Sequence, residues 1–218
     1  TMAIAQLTHK GDRVLDAGAN IGFTALLFLR AGASFIYAFE PDPRNYQRLR
    51  KLEGESIRIS ALALGGSDTE LDLRLSDAHN QGSTLDNRIV ARFPACFTTQ
   101  RTVKVAVRKL DTICSDATFD FLKIDVEGAE VELIRGALHH FESNRPRIVL
   151  IESYPEIFPE LHEILSPFYE YHARLLCPVN SAYLKYVPSL ANVEEYKADH
   201  YVGPPTYVYS TMPLPTAA

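Results

Sequence analysis

A glycine-containing loop directly after the first predicted strand is the feature that most constrains this chain. Residues 13–17 form a short apolar strand, and residues 16–22 read Asp-Ala-Gly-Ala-Asn-Ile-Gly. A helix predicted over 21–31 follows at once and ends at Gly32. Glycines at a strand-to-helix turn let the backbone approach a ligand closely, and the start of a helix offers unpaired N–H groups. The loop therefore predicts a ligand site at the edge of an α/β sheet.

The glycine spacing indicates which ligands fit this loop. A dinucleotide fingerprint requires the pattern G-x-G-x-x-G. If Gly18 is its first glycine, Asn20 and Phe23 stand where the second and third glycines belong. This departure weakens the interpretation as a nicotinamide-dependent oxidoreductase, which remains an alternative.

Alternating strands and helices predict the rest of the sheet. The second strand, 35–39, ends at Glu40-Pro41, where the proline bars a further strand hydrogen bond. The pattern predicts a Rossmann-like α/β fold, with a mostly parallel central sheet and helices on both faces. The other predicted strands are 57–64, 119–124, 147–151 and, later, 171–176, 182–187 and 207–210, and the other helices are 44–52, 129–141 and 157–168.

The middle of the chain interrupts this rhythm. Residues 70–75 and 102–107 alternate strictly between apolar and polar, which is typical of half-exposed strands. A polar stretch, 77–84, lies between them. We therefore predict an inserted β-hairpin, a flap at about 67–108, between strands 3 and 4 of a single domain spanning 1–211. The tail, 212–218, is rich in proline and small residues and is expected to be disordered.

Charge and composition narrow the classes of partner. The formal net charge is −5, and the basic run at 44–51 fits the solvated face of a helix, so we expect no nucleic-acid partner. Three scattered cysteines without a CxxC pair indicate neither a zinc site nor a disulfide framework, and no apolar run is long enough to span a membrane. We expect a cytoplasmic protein. Because Thr1 precedes Met2, we also expect a tag remnant or a domain cut from a longer protein.

A second signature lies at the end of the fourth predicted strand of the main sheet. Residues 119–130 read Phe-Asp-Phe-Leu-Lys-Ile-Asp-Val-Glu-Gly-Ala-Glu. The strand delivers Asp125 and Glu127 to the carboxyl end of the sheet, where open α/β sheets bind their ligands. Gly128 permits the turn into the following helix.

Together these stretches resemble a known family. The D-x-G-x-x-x-G loop is similar to motif I of class I methyltransferases, and the whole pattern resembles the FkbM family of that class. The resemblance implies a class I methyltransferase fold and O-methylation of sugar or polyketide-type hydroxyls by S-adenosylmethionine. The stretches that carry it are 14–22, 38–41, 82–85, 110–111, 122–130 and 148–152.

The resemblance also implies a set of cofactor contacts. The first loop would wrap the amino-acid part of S-adenosylmethionine, and the Glu40 carboxylate would accept hydrogen bonds from both ribose hydroxyls. Family members often carry a polar residue before the Ala-Leu-Gly at the end of strand three, where this chain has Ala61, so adenine contacts there would be backbone or apolar. The predicted cofactor-binding residues are Asp16, Gly18, Ala19, Asn20, Gly22, Glu40, Pro41, Ala61 and Asp125.

Three residues are candidates for catalysis. Asp125 and Glu152 are predicted at the ends of neighbouring strands, where either carboxylate is a candidate general base. Alternatively, Asp125 holds the cofactor ammonium or the following turn, and Glu152 caps a helix. His79 lies in the polar flap, and an imidazole is a suitable base near neutral pH if the flap folds over the site. Asp125, Glu127 and Glu152 have oxygen ligands that suit magnesium, but we predict no metal site.

The sequence thus predicts an S-adenosylmethionine-dependent O-methyltransferase that acts on a hydroxylated small molecule, free or bound to a carrier protein. Enzymes that methylate the amino groups of bases often carry an Asn/Asp-Pro-Pro-aromatic motif after the fourth strand. Residues 124–127 read Ile-Asp-Val-Glu at that place, which favours oxygen as the acceptor atom. A catalytically inactive interaction module with the same fold is a further alternative.

Overall fold

The computed structural model describes residues 2–78, 82–176, 185–187 and 204–215. Its strands are β1 (Arg13–Ala17), β2 (Phe35–Phe39), β3 (Ile57–Ser60), β4 (Ala63–Leu64), β5 (Thr69–Arg74), β6 (Thr102–Arg108), β7 (Phe121–Ile124), β8 (Ile148–Glu152), β9 (Tyr171–Leu176), β10 (Lys185–Val187) and β11 (Thr206–Ser210). Its α-helices are α1 (Met2–Leu7), α2 (Phe23–Ala31), α3 (Pro43–Leu49), α4 (Asn87–Arg92), α5 (Leu110–Ile113), α6 (Glu130–Arg135), α7 (Leu138–Ser143) and α8 (Phe158–Leu165).

The main sheet is mostly parallel, as predicted. Its strand order across the described residues is β10-β9-β11-β8-β7-β1-β2-β3. Neighbouring strands from β8 to β3 pair in parallel, whereas β11 runs antiparallel between β8 and β9, and β10 pairs antiparallel with β9. The chain moves outward from β1 to β3 and then returns to β7 on the other side of β1. This reversal opens a crevice at the carboxyl ends of β1 and β7, where ligands of such sheets bind.

Apolar side chains cover both faces of this sheet. Successive residues of a strand point to opposite faces, so Val14 packs in one buried cluster and Leu15 in the other. The first cluster includes residues of α1, α2 and α3, and the second includes residues of α5, α6, α7 and α8. The predicted arrangement of helices on both faces is confirmed.

The inserted flap is more elaborate than a hairpin. Strands β5 and β6 pair antiparallel from Thr69–Val107 to Arg74–Thr102, as the alternating patterns predicted. The connection between them contains α4 and a short 3₁₀ helix, Pro94–Cys96. The predicted strand 57–64 is divided, because β3 ends at Ser60 and the next two residues leave the main sheet. Residues 63–64 form β4, which pairs with β6 and joins the flap to the domain.

The predicted helix over 129–141 is also divided. It forms α6 and α7, separated by Gly136 and Ala137. A Cβ atom at Gly136 would lie 2.0 Å from the carbonyl oxygen of Gly65, so two backbones meet at this point. The close contact with a distant segment is the physical reason for the break.

The chain ends and the membrane expectation can be compared with the structure directly. The tail that we expected to be disordered is described as far as Pro215, and Leu214 packs against the cluster that contains Val14. Residues 216–218 lie outside the described residues. In the part of the chain that the structure describes, none of the helices has the length and hydropathy that a membrane crossing requires.

Candidate active site

A cavity of about 940 Å³ lies at the carboxyl ends of the parallel strands. Its walls come from the β1–α2 loop, the end of β2, the loops after β7 and β8, and the flap. The volume falls in the range typical of small-molecule sites. The cavity therefore has room for a nucleoside-sized ligand together with part of a second molecule.

Lys123 forms the floor of this cavity. Its Nζ donates to the carbonyl oxygen of Gly18 at 3.0 Å and lies 3.4 Å from Asp16 Oδ1 and 3.3 Å from Asp125 Oδ2. Burial alone would lower the pKa of Lys123, but the charges of Asp125 and Asp16 outweigh it and hold that pKa above its ordinary value. Lys123 is thus a buried cation that joins the β1 loop to the end of β7.

The β1 loop approaches β7 too closely for any side chain at Gly18. A Cβ atom at Gly18 would lie 1.8 Å from the carbonyl oxygen of Asp125, and the residue has a φ of +75°. Ala19 and Asn20 follow and line the cavity with Gly18. The structure therefore brings these three predicted cofactor contacts to the cavity wall.

Glu40 is held at the end of β2 with its carboxylate oriented by backbone groups. Oε2 accepts the N–H of Asn20 and Oε1 accepts the N–H of Asp42, each at 2.8 Å. The side chain is buried, and this burial outweighs the two hydrogen bonds and raises the pKa of Glu40 to about 7. Glu40 and Pro41 both line the cavity. Each carboxylate oxygen keeps a further lone pair, which suits a vicinal diol such as that of ribose.

Three predicted cofactor contacts do not reach the cavity wall in the structure. Asp16 lies below the loop, where Oδ2 accepts the hydroxyl of Thr24 at 2.6 Å. Gly22 begins α2 and packs against the side chains of Leu49 and Leu52. Ala61 is exposed because β3 ends one residue before it; Leu62 lines the cavity instead. Asp16 and Gly22 shape the loop, and Ala61 faces solvent.

Two of the predicted catalytic residues share one wall of the cavity. Asp125 follows β7 and Glu152 ends β8, the adjacent parallel strand. Burial, followed by the nearby charge of Asp125, raises the pKa of Glu152 to about 8. A carboxyl with that pKa is suited to exchange a proton near neutral pH.

Glu127 completes this group of carboxyls. Its backbone has a φ of +53°, which is rare for a residue with a side chain and is found more often at functional sites. The hydroxyl of Tyr154 donates to Glu127 Oε2 at 2.7 Å. Burial, with the charge of Asp125, raises the pKa of Glu127 to about 7. Both Glu127 and Tyr154 line the cavity.

The flap covers this wall, and the hydroxyls of two consecutive flap residues bond to the segments after β7 and β2. The hydroxyl of Thr84 donates to the carbonyl oxygen of Glu127. Ser83, the preceding residue, donates to Asp42 Oδ2 at 2.8 Å, beyond the end of β2. A Cβ atom at Gly128 would lie 2.7 Å from the side chain of Ile89 in α4, so the flap also packs tightly on the loop after β7. The flap therefore lies against the carboxyl wall of the cavity.

Two further sequence predictions concern His79 and metal binding. His79 lies outside the described residues, so its predicted catalytic role stays a prediction. The described residues include no group of three or more histidine, cysteine, aspartate or glutamate side chains arranged to hold a metal ion.

Sequence reasoning overlooked several residues that line the cavity, among them Lys123, Tyr154, Arg174 and Phe93. Lys123 carried a usable signal, because a charged residue in a fully buried strand requires partners. Tyr154 and Phe93 reach the site from loop positions, after β8 and after α4, that no local pattern indicates.

The fold and the site together define a class of protein. The order in which strands are added to the sheet reverses between β1 and β7, and the antiparallel strand β11 lies between β8 and β9. The buried acid Glu40, at the end of β2, faces the glycine loop. This is the architecture of the class I methyltransferases. The family model described as Methyltransferase FkbM domain matches residues 16–175, and the chain belongs to this family.

Known proteins agree with this assignment. The 2-O-methyltransferase NoeI of Sinorhizobium fredii (strain NBRC 101917 / NGR234) is 30% identical over 147 residues, covering 61% of this chain and 60% of NoeI. Methyltransferase 1 of Beauveria bassiana (strain ARSEF 2860) is 31% identical over 146 residues, covering 56% and 57%. The chain thus spans about three fifths of the length of these relatives.

A solved structure agrees with the fold. The FkbM methyltransferase of Methylobacillus flagellatus KT superposes with a TM-score of 0.57 at 17% identity, over 91% of this chain and 43% of that chain. At this identity the similarity concerns the fold alone.

Proposed function

We propose that this methyltransferase uses S-adenosylmethionine to methylate a hydroxyl group of a small molecule, a sugar or a polyketide-type compound. The observation that carries the proposal is the pair of acids in one cavity. Glu40 is a buried carboxylate oriented for a diol, and Glu152 is a carboxyl suited to take up a proton near neutral pH. The first matches the donor and the second matches a hydroxyl acceptor.

The residues present fit the methyl donor. The Glu40 carboxylate would accept hydrogen bonds from both ribose hydroxyls, and the backbone of Gly18, Ala19 and Asn20 would contact the methionine part. Leu62 would supply an apolar contact to the adenine. When bound, the donor supplies an electrophilic methyl group on a positively charged sulfonium. Asp125 lines the same cavity and offers a carboxylate to the donor's ammonium group.

The acceptor would bind between the carboxyl wall and the flap. Methyl transfer is a displacement in which the enzyme mainly aligns the acceptor oxygen and removes its proton. Glu152 would accept that proton, and the flap residues Phe93 and Phe97 would supply an apolar surface for the acceptor. Because Glu127 and Tyr154 share a hydrogen bond beside Glu152, they would help to orient the hydroxyl.

Oxygen is favoured over nitrogen by two considerations. One relative, NoeI, is a 2-O-methyltransferase and is 30% identical to this chain. The Ile-Asp-Val-Glu sequence after β7 also lacks the prolines of the motif common among enzymes that methylate base amino groups. An interaction module without activity is the competing proposal, and turnover distinguishes the two.

The test begins with calorimetric titration of S-adenosylmethionine into the whole chain. Mass spectrometry then measures the gain of one methyl group across hydroxylated acceptors, both free and carried on a carrier protein. We expect donor binding and methylation of at least one hydroxyl compound, with Glu152→Gln strongly reducing turnover. Absence of donor binding would refute the cofactor assignment, and donor binding without turnover on any acceptor would favour the inactive module.

A further inference from the structure

The acceptor wall of the cavity contains more acids than cations. Asp125, Glu127 and Glu152 line it, and Glu130 lies behind them with 1% of its surface exposed. Arg92 and Arg174 also line the cavity, and Lys123 contacts this wall at 3.3 Å from Asp125. Its charge is shared with Asp16 on the opposite side. The wall therefore has excess negative charge when all four carboxyls are ionised.

Such a group of carboxyls retains a proton at neutral pH. Like charges that are close together and shielded from water do not all ionise, so the pKa of at least one member rises. Glu152 has the most strongly raised pKa of the group, about 8, from burial first and the Asp125 charge second. The protonated form of Glu152 cannot accept the proton of an acceptor hydroxyl. The ligand-free site is thus in the wrong protonation state for catalysis.

We propose that the positive charge of the methyl donor expels the proton from Glu152, so that the general base forms only when the donor is in place. This inference rests on the proposed function. The acceptor oxygen must lie within about 3–3.5 Å of the methyl carbon and about 2.6–3.2 Å of the base, which sets the sulfonium roughly 6–8 Å from the Glu152 carboxyl. A unit positive charge at that distance in a poorly hydrated site lowers a carboxyl pKa by about 1–2 units.

The charge balance also works during transfer. The acceptor oxygen forms its bond to the methyl carbon while the carbon–sulfur bond breaks, and the electron pair of that bond stays on sulfur. The hydroxyl proton passes to the Glu152 carboxylate. Since the sulfur product is neutral, the group that had kept Glu152 ionised disappears in the same step, and Glu152 retains the proton.

The other charged groups around Glu152 do not replace the donor in this role. Lys123 in β7 and Asp125 just after it influence the pKa of Glu152 by their charges. Glu127 in the following loop and Glu130 in α6 do so as well. Arg174 of β9 lines the same cavity, two strands away across β11. Tyr154, which follows β8, is hydrogen-bonded to Glu127. Lys123 is present with or without the donor, so its effect on Glu152 does not change on binding.

Proton release on binding tests the inference without an acceptor. S-adenosylmethionine and S-adenosylhomocysteine are titrated separately into the whole chain, each in two buffers with different ionisation enthalpies, at about pH 7.5. The two probes share the ribose, so the contribution of Glu40 cancels between them. With Glu152 mostly protonated at first, we expect the cationic probe to release about half a proton more than the neutral one. Equal release by the two probes would overturn the inference.

Variants assign the proton to its residue. Glu152→Gln removes the titrating group and should abolish the difference between the probes, whereas the surface change Glu160→Gln on α8 should leave it intact. A difference that persists in Glu152→Gln overturns the assignment to Glu152. If that variant does not fold, the ratio of the two wild-type dissociation constants is measured against pH. It should favour the cationic probe increasingly from about pH 6 to 8, and a constant ratio contradicts the inference.

The two proposals fail in distinguishable ways. Absence of binding by either probe refutes the proposed function and the inference with it. Binding of both probes with identical proton release leaves the proposed function standing and refutes the inference alone.

Discussion

At the scale of single residues, the site depends on positions where a side chain is either obligatory or impossible. The sequence placed Glu40, Asp125 and Glu152 at the site because each lies at the end of a strand, where the local pattern changes from apolar to polar. Ala61 was placed wrongly because the apolar run continues past the true end of β3. The contacts of Lys123 and Tyr154 join segments far apart in the chain, and local patterns do not encode such pairs.

Gly18 is the position at which a side chain is impossible. Gly18→Ala would place a methyl group against the carbonyl oxygen of Asp125 at a positive φ. We expect a loss of at least about 1–3 kcal/mol in the free energy of unfolding and weaker binding of S-adenosylmethionine. Urea denaturation and calorimetry measure the two effects. Gly54→Ala is the matched control, since nothing lies within 4 Å of a Cβ there; equal effects of the two changes would contradict the argument.

Glu40 is the position at which a carboxylate is obligatory under the proposed function. Glu40→Gln replaces one acceptor oxygen by an NH₂ group, which can accept neither a backbone N–H nor a ribose hydroxyl. We expect the dissociation constant for S-adenosylmethionine to rise at least about tenfold, because a hydrogen bond to a charged group is lost. Calorimetry measures this constant, and the exposed change Glu55→Gln serves as the control. An unchanged affinity in Glu40→Gln would remove the ribose assignment.

At the scale of elements, predictions succeeded where the signal was local. The bounds of β1 and β2 were predicted to the residue, since apolar runs and turn residues delimit them. The division of the predicted helix at Gly136 and of the strand after Ser60 was missed. In both cases a distant segment, the Gly65 backbone or β6, determines where the element stops. Tertiary contact overrides a continuous local pattern at these points.

The flap offers a test at this scale. Thr84→Val keeps the side-chain shape but removes the hydroxyl bonded to the Glu127 carbonyl oxygen. Because the flap is then held less firmly, we expect the free energy of unfolding to fall by about 1–3 kcal/mol. Amide hydrogen exchange in α4 should be faster, and kcat/KM for the acceptor should be lower. Thr84→Ser retains the hydroxyl and should behave nearly as the wild type. Unchanged exchange in Thr84→Val would show that the flap does not depend on this bond.

At the scale of the whole molecule, four carboxyls link stability to pH: Glu40 and Glu130 are buried, and Glu127 and Glu152 are half-buried. The pKa is raised from 4.5 to about 7 for Glu40, Glu127 and Glu130, and to about 8 for Glu152. Between the unfolded and folded values the native state binds more protons than the unfolded state, so stability falls as pH rises.

We therefore expect the free energy of unfolding to decrease from about pH 5 to about pH 8, with a slope on the order of 1 kcal/mol per pH unit for each carboxyl that is still protonated in the native state. Urea denaturation at a series of pH values measures this slope. Glu152→Gln should reduce it at the alkaline end of the range, where Glu152 titrates. A stability that rises with pH over this interval would contradict the raised pKa values of the four carboxyls.

The hydrogen bonds that Ser83 and Thr84 of the flap make to the domain have a geometric consequence for the molecule. Ser83 is fastened to the segment after β2 and Thr84 to the segment after β7, on opposite banks of the crevice that contains the β1 loop. The two anchors are consecutive residues, whose Cα atoms are separated by about 3.8 Å across a trans peptide. A single peptide unit of fixed length therefore connects the two sides of the crevice. The banks cannot move apart at this point without releasing at least one anchor.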